Sequence, residues 1–283
     1  MQTLLFYEPA GEPPLPSEDI EAVLAACPGV ELDARTSGYR PGRWRDVDTG
    51  ASCQIDLGEA PLEGEADVDP PAVYTGWLAL PLAVHVPLGG PHWFAVEALR
   101  FVEALLGQLP GIRALDTEDT RVDDESDLGP FPWNRLRALA GWETQQRAQE
   151  EGHTDLVRME RHASLALWRY RRERRRGLAA RPDLAWPEAL ALRDGATARS
   201  AALWLDPTRP FALPPVELVV VQRPGGAGVL PADEVATAGG GQPLVEGGTL
   251  ALIPSPRLSD LHARAHLLPA SRFTALADGD WVD

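Results

Sequence analysis

Short apolar blocks separated by polar turns predict alternating strands and helices in the first third of the chain. Thr3 to Tyr7 is a β-rich apolar run, and the helix that begins at Ser17 has an apolar stripe at helical spacing. A second helix opens at Pro91 and stops at Pro110-Gly111. Further strands are predicted at Val30 to Arg35, Ala51 to Leu57, Val73 to Val86 and Ile112 to Leu115.

This order, β-α-β-β-β-α-β, is close to the split β-α-β pattern of ferredoxin-like domains. We therefore expect an α+β protein that starts with an antiparallel sheet and two helices. A fold-level analogy of this kind implies no function.

The periodicity changes in the middle of the chain. From Trp133 to about Leu205 the apolar residues recur at helical spacing, with one helix that ends near Gly177 and a further short helix that ends at Leu192. The last segment is mixed α and β, and its clearest buried strand runs from Val216 to Val221.

These changes in pattern predict three parts. Residues 1–127 form an acidic α+β domain, and 128–205 form a helical region rich in Arg and Trp. Residues 206–283 form a small mixed α/β segment that we expect to pack with the middle region.

Composition narrows the function classes. The chain has 283 residues, a net charge of −16 and a pI near 4.8, so its overall field repels polyanions and disfavours nucleic acid and anionic membranes as partners. No apolar window reaches the roughly 20 residues of a membrane span, and the N-terminus lacks the basic region of a signal peptide. The cysteines, Cys27 and Cys53, lack metal-site spacing and are expected to be buried. We expect a cytoplasmic protein without a cofactor.

Charge is segregated along the chain. Residues 1–127 hold 24 acidic residues and 7 Arg, whereas 128–199 hold 14 Arg and 9 acidic residues. An acidic run extends from Asp116 to Asp127, and it lacks the alternating register of a calcium loop. We expect this run to be a solvated linker or a docking surface.

A basic run with two aromatic residues is the candidate binding surface. Arg and aromatic side chains are over-represented at protein interaction hot spots, and they also bind nucleic acids by stacking. A helix end that pairs with the acidic domain would explain the same residues. The candidate residues are Trp168, Arg169, Tyr170, Arg171, Arg172, Arg174, Arg175 and Arg176.

Histidines mark the alternative sites. His85 and His92 flank a turn between a strand and a helix, where catalytic groups are common. His262 and His266 have the i, i+4 spacing of metal ligands on a helix, but they lack the glutamate of the HExxH motif and a defined third ligand.

The sequence therefore favours a non-enzymatic protein-interaction component of a bacterial system, of the accessory, adaptor or immunity type. Its expected partner is another protein encoded nearby, and a homo-oligomer is also compatible with the sequence. The alternative is a hydrolase or transferase with a histidine-containing pocket, with or without a metal.

Overall fold

The chain folds into two compact units. The computed structural model describes residues 1–11, 13–58, 74, 76–117, 132–151, 156–204, 209–223, 226–244, 248–254 and 268–283. The N-terminal unit comprises Met1–Leu88 and His92–His153, and the C-terminal unit comprises Gly89–Pro91 and Thr154–Asp283. This division differs from the three parts expected at 1–127, 128–205 and 206–283.

The N-terminal unit is built on a six-stranded antiparallel sheet. Its strands are β1 (Gln2–Pro9), β2 (Val30–Leu32), β3 (Arg40–Arg45), β4 (Ser52–Leu57), β5 (Trp77–Val86) and β6 (Arg113–Asp116). The spatial order is β2-β3-β4-β5-β1-β6. Its helices are α1 (Ser17–Ala26), α2 (His92–Gln108) and α3 (Arg135–Glu151).

The two faces of this sheet differ because side chains alternate along each strand. One face is apolar and packs under α2, whose Phe101 stacks on Trp44 of β3 with ring centroids 4.9 Å apart. Ile55 and Val84 pair across β4 and β5 on this face and are fully buried. The opposite face, which we call the open face, carries the intervening residues Asp56 and His85.

Helix α3 lies against the end of β1. The buried amide of Gln2 donates from Nε2 to Asp116 Oδ2 (2.6 Å) and to the Ala138 carbonyl of α3 (2.8 Å). A Cβ at position 141 would lie 2.8 Å from Asp116 Oδ2, so Gly141 permits the close approach.

The C-terminal unit contains a larger mixed sheet and a small one. Its helices are α4 (Arg161–Ala180) and α5 (Ala232–Ala238). Its strands are β7 (Val157–Met159), β8 (Glu188–Asp194), β9 (Thr197–Trp204), β10 (Phe211–Leu213), β11 (Leu218–Arg223), β12 (Gly226–Pro231), β13 (Gln242–Pro243), β14 (Ala251–Ile253), β15 (Leu268–Pro269), β16 (Phe273–Leu276) and β17 (Trp281–Val282).

The larger sheet runs β15-β12-β11-β9-β7-β17, and β8 joins β9 to β16. The small sheet runs β10-β14-β13. A core under α5 includes Trp204 stacked on Phe211, with ring centroids 5.3 Å apart, and the fully buried Val219 of β11. This places the strand expected at Val216 to Val221 in the core.

The mixed α+β class is confirmed, whereas the ferredoxin-like detail is not. The prediction omitted β3, which pairs with both β2 and β4. The short helix expected up to Leu192 is wrong, because β8 and β9 form a hairpin there. The turn of this hairpin begins at Asp194-Gly195. Gly195 has φ +63°, which a tight two-residue hairpin turn requires of its first central residue.

Among the helices that the structure describes, none combines the length and apolarity needed to cross a bilayer.

Candidate functional site

The basic run lies on α4, and its residues face two directions. Three of them turn inward, toward the strands of the same unit. The Tyr170 hydroxyl donates to the Pro187 carbonyl (2.7 Å), and Arg174 Nε donates to the same carbonyl (3.1 Å). Arg171 Nη1 lies 2.8 Å from Asp278 Oδ2. These inward residues hold α4 against its own unit.

The other arginines of the run are exposed, and we call Arg169, Arg172, Arg175 and Arg176 the outer arginines. The Arg172 guanidinium lies 5.6 Å from the centroid of the Trp168 ring, in a cation–π arrangement. Arg169, Arg175 and Arg176 make no hydrogen bond or ion pair to any residue that the structure describes. Helical spacing places Arg169, Arg172 and Arg176 along one side.

The outer arginines therefore form a cationic ridge on an acidic protein. Exposed guanidinium groups bind carboxylates through two parallel hydrogen bonds, which lysine cannot reproduce. The ridge is suited to contact a surface that presents carboxylates or phosphates.

His85 belongs to a second site on the open face of the N-terminal unit. Its Nδ1 lies 3.0 Å from the Thr3 hydroxyl, and its Nε2 lies 3.0 Å from Asp56 Oδ2. The Tyr39 hydroxyl donates to the other oxygen of Asp56 (2.6 Å). In the neutral tautomer, Nε2–H donates to Asp56 and Nδ1 accepts from Thr3.

The electrostatics of this network follow from the shared carboxylate. The His85 hydrogen bond lowers the pKa of Asp56, against the raising effect of burial, and Tyr39 lowers it further. Burial and the hydrogen bond to Asp56 raise the pKa of Tyr39 to about 12. At neutral pH Asp56 is thus ionised and accepts two hydrogen bonds.

A hydroxyl, an imidazole and a carboxylate in this order can move a proton from Thr3 to His85 while Asp56 stabilises the imidazolium. Sequence reasoning found His85 and missed Thr3, Asp56 and Tyr39. A local signal for Asp56 and His85 exists, since each interrupts an apolar strand between two buried residues. Their proximity depends on the strand order, which the local pattern does not contain.

His92 lies elsewhere and has different partners. It is the first residue of α2, and its Nε2 lies 2.9 Å from Glu143 Oε1 of α3. The neighbouring Trp142 donates from Nε1 to the Pro87 carbonyl (2.8 Å), and its ring meets His92 edge-on. These contacts pin α3 to the turn before α2, whereas His85 bonds to residues of the sheet.

Two features that the sequence suggests lie outside the described residues. They are the pair of metal-ligand candidates His262 and His266, and the part of the acidic run after Thr117. Two C-terminal aspartates that could act as a third ligand are engaged elsewhere: Asp278 with Arg171, and Asp280 with the backbone N–H of Ala277 (3.2 Å). Within the described part of the chain, no cluster of three or more His, Cys, Asp or Glu is arranged to bind a metal.

The molecule thus has two candidate sites, the ridge on α4 and the hydrogen-bond network around His85. The ridge is an exposed charged surface. The network can transfer a proton, but its geometry does not define a substrate. No protein-family model, curated protein or solved structure matches this chain.

Proposed function

We propose that this chain is a non-enzymatic protein-interaction component, of the accessory, adaptor or immunity type, that binds an acidic protein surface through α4. The observation that carries the proposal is the division of the basic run. The side chains of Tyr170, Arg171 and Arg174 bind to residues of the same unit, whereas the outer arginines are exposed on the other side of the helix.

The charge of the rest of the molecule favours a protein partner over a nucleic acid. With a net charge of −16, the chain repels a polyanion at long range. Physiological salt screens that repulsion beyond about 8–10 Å. The charge of the rest of the molecule therefore acts only weakly on a compact acidic patch in direct contact with the ridge. We therefore expect a folded partner with a local cluster of carboxylates.

The test is affinity capture from the native host with three forms of the full chain. The first is wild type, and the second is Arg169→Glu/Arg172→Glu/Arg176→Glu. The third, Arg45→Glu/Arg147→Glu/Arg193→Glu, changes the net charge equally at three exposed arginines outside α4.

A protein retained by wild type and by the control triple variant, but lost from the ridge variant, supports the proposal. Equal capture by all three forms contradicts it. Recovery of nucleic acid, released by nuclease and lost steeply with added salt, would also contradict it.

A hydrolase or transferase is the second candidate, and the Thr3–His85–Asp56 chain of hydrogen bonds favours it. A fluorophosphonate probe reacts with activated hydroxyl groups and would label Thr3 in an enzyme of this type. Labelling of wild type that disappears in Thr3→Val and His85→Ala supports catalysis. A chain that remains unlabelled while His85→Ala stays folded favours the interaction role.

We also propose a cytoplasmic location, a bacterial source and a ferredoxin-like topology for the N-terminal unit. Both cysteines are free thiols, as is usual in a reducing compartment. Cell fractionation of the tagged protein tests the location.

The strand order supports the ferredoxin-like topology. Strands β5 and β6 are each antiparallel to β1, which lies between them. They are therefore parallel to each other, and α2 connects them across β1, as in a split β-α-β unit.

A further inference from the structure

A small pocket in the N-terminal unit lies between β1, α1 and the end of α2. Its volume is about 190 Å³, which is the space that about six water molecules take up in the liquid. Of the described residues that line it, seven are prolines or aliphatic residues, and three are polar: Glu8, Asp19 and Gln108. A pocket of this size and polarity is suited to a small ligand with a short apolar body.

The Glu8 side chain brings a carboxylate to the wall of the pocket at a buried position. The residue is 8% exposed and lines the pocket. Its Oε2 accepts from the Leu15 N–H (2.8 Å), whereas its Oε1 has no hydrogen bond or ion pair to any residue that the structure describes. Burying a carboxylate is costly unless it is paired. A cation in the pocket would supply the partner that the described part of the protein does not.

The other two polar residues of the pocket also present acceptors. The Asp19 side chain is exposed and makes no hydrogen bond or ion pair to a described residue. Gln108 donates from Nε2 to Cys27 Sγ (3.5 Å), so its carbonyl oxygen is the group that is left to bind a ligand. The pocket therefore has two carboxylates and an amide oxygen in its wall.

The wall has no comparable set of donors. Three of its residues are prolines, which lack a backbone N–H. Outside the helices and strands, the N–H groups of Leu15, Leu109 and Ile112 donate to protein oxygens. The other N–H groups of the wall belong to β1, α1 or α2. No arginine or histidine is among the described residues that line the pocket. An anion would find no partner here, whereas a cation with several N–H groups would find three acceptors.

We propose that this pocket binds a small primary amine in its protonated form. The ammonium group contacts Glu8, Asp19 and Gln108, and the apolar body of the ligand fills the rest of the pocket. A primary ammonium group has three N–H donors and no acceptor, which matches the lining. The net charge of −16 also attracts cations to the molecule. A free aliphatic amine and a lysine side chain share this chemistry.

Isothermal titration calorimetry of the full chain at neutral pH tests the ligand class, with cyclohexylamine as the probe. Cyclohexanol removes the charge, cyclohexanecarboxylate reverses it, and ammonium chloride removes the apolar body. We expect cyclohexylamine to bind with a Kd of about 1 mM or lower, and each comparison compound at least about tenfold more weakly. Nα-acetyl-lysine amide distinguishes the sources: tighter binding than cyclohexylamine assigns the pocket to a lysine side chain, and weaker binding to a free amine.

Glu8→Gln separates a ligand-binding role from a structural one. The variant keeps an oxygen that can accept from the Leu15 N–H but removes the negative charge, so cyclohexylamine should bind at least about tenfold more weakly. Glu18→Gln removes the same charge from an exposed residue of α1 that does not line the pocket, and it should bind within about twofold of wild type. If Glu8→Gln binds cyclohexylamine as wild type does, Glu8 only holds the loop and the proposal is wrong.

A second pair of variants tests the location. Val23→Phe adds bulk to the wall of the pocket and should weaken binding at least about tenfold. Val47→Phe adds the same bulk at a position that is 77% exposed and outside the pocket, and it should bind as wild type. Circular dichroism spectra and melting curves verify that each variant is folded.

Three further outcomes overturn the proposal: no binding of cyclohexylamine, equal binding of cyclohexanol or ammonium, or unchanged binding by Val23→Phe. The result is independent of α4, because the pocket variants leave the outer arginines intact and the ridge variant leaves the pocket intact.

Discussion

His85 Nε2 lies 3.0 Å from Asp56 Oδ2, and the two residues reach each other diagonally across β5 and β4. The residue directly opposite His85 in the register is Gln54, and the one opposite Asp56 is Ala83. Diagonal neighbours in a sheet are within reach of long or aromatic side chains. The residue opposite Asp56 is thus a short alanine, which leaves room for this diagonal contact.

The first prediction concerns Asp56→Asn in acid. The pKa of Asp56 is lowered in the folded state, so its ionised form contributes stability above the unfolded value of about 3.9 and loses it as the pH falls through the folded value. Asp56→Asn should cost about 1–2 kcal/mol at neutral pH. Urea unfolding at pH 7, 5 and 3 should show the difference shrinking below about pH 4. A difference that stays constant into acid would contradict this origin.

The second prediction concerns the ionisation of Tyr39. Its pKa is raised to about 12 by burial and by the hydrogen bond to Asp56, so the protonated phenol contributes stability that is present below about pH 10 and lost as the pH rises toward 12. The absorbance of wild type at alkaline pH, minus that of Tyr39→Phe, should show the Tyr39 transition near 12. Asp56→Asn should lower it only in part, since burial remains. An unchanged midpoint would remove Asp56 from the explanation.

Local patterns predict the strands of the N-terminal unit better than they predict its site. Asp56 and His85 each lie between buried residues of an apolar strand, which indicates a polar open face. The local pattern does not indicate the strand Arg40–Arg45, because Pro41 and Gly42 are poor strand formers and Trp44 is the single large apolar residue in it. It forms because its neighbours pair with it, and a Cβ at Gly42 would lie 2.7 Å from Leu32 Cδ2.

The end of α4 shows the same limit. The sequence predicts a helix end near Gly177, but the helix continues to Ala180. Gly177 has a packing role instead of ending the helix, because a Cβ at this position would clash with the ring of Trp186. The glycine therefore makes room for a side chain nine positions later, which spacing within the helix does not reveal.

The third prediction follows from this contact. Gly177→Ala should cost about 1–3 kcal/mol in wild type because the methyl group overpacks the Trp186 site. In a Trp186→Leu background the same change should be neutral or stabilising by up to about 1 kcal/mol, since alanine is the better helix former. Thermal and denaturant unfolding of the four proteins measure the coupling. Equal effects in both backgrounds would contradict the clash.

The fourth prediction concerns thiol reactivity. Cys27 and Cys53 are free and only 6% and 2% exposed, and burial raises the pKa of both thiols. The thiolate is the reactive form, so neither should react quickly with an aromatic disulfide reagent at mildly alkaline pH. Both should react at once in denaturing guanidinium chloride. Rapid reaction of one thiol in the native protein would show that its site opens.

The last prediction separates the two sides of α4. Arg171 is inward: its side chain is 12% exposed, and it donates to Asp278 (2.8 Å) and to the Ala189 carbonyl (3.2 Å). Arg171→Ala leaves a partly buried carboxylate without this partner and should cost about 1–3 kcal/mol. Arg175→Ala removes the same charge from an exposed position on the same helix and should change stability by less than about 0.5 kcal/mol.

Urea unfolding of both variants and of Asp278→Asn, alone and combined with Arg171→Ala, measures the coupling between the two groups. Because the pair is partly buried, the coupling should persist at high salt, whereas a surface pair would be screened. If Arg171→Ala and Arg175→Ala cost the same, the division of the basic run into inward and outer residues is wrong. The ridge variant would then need Arg171 and Arg174 as additional candidates for contact with a partner.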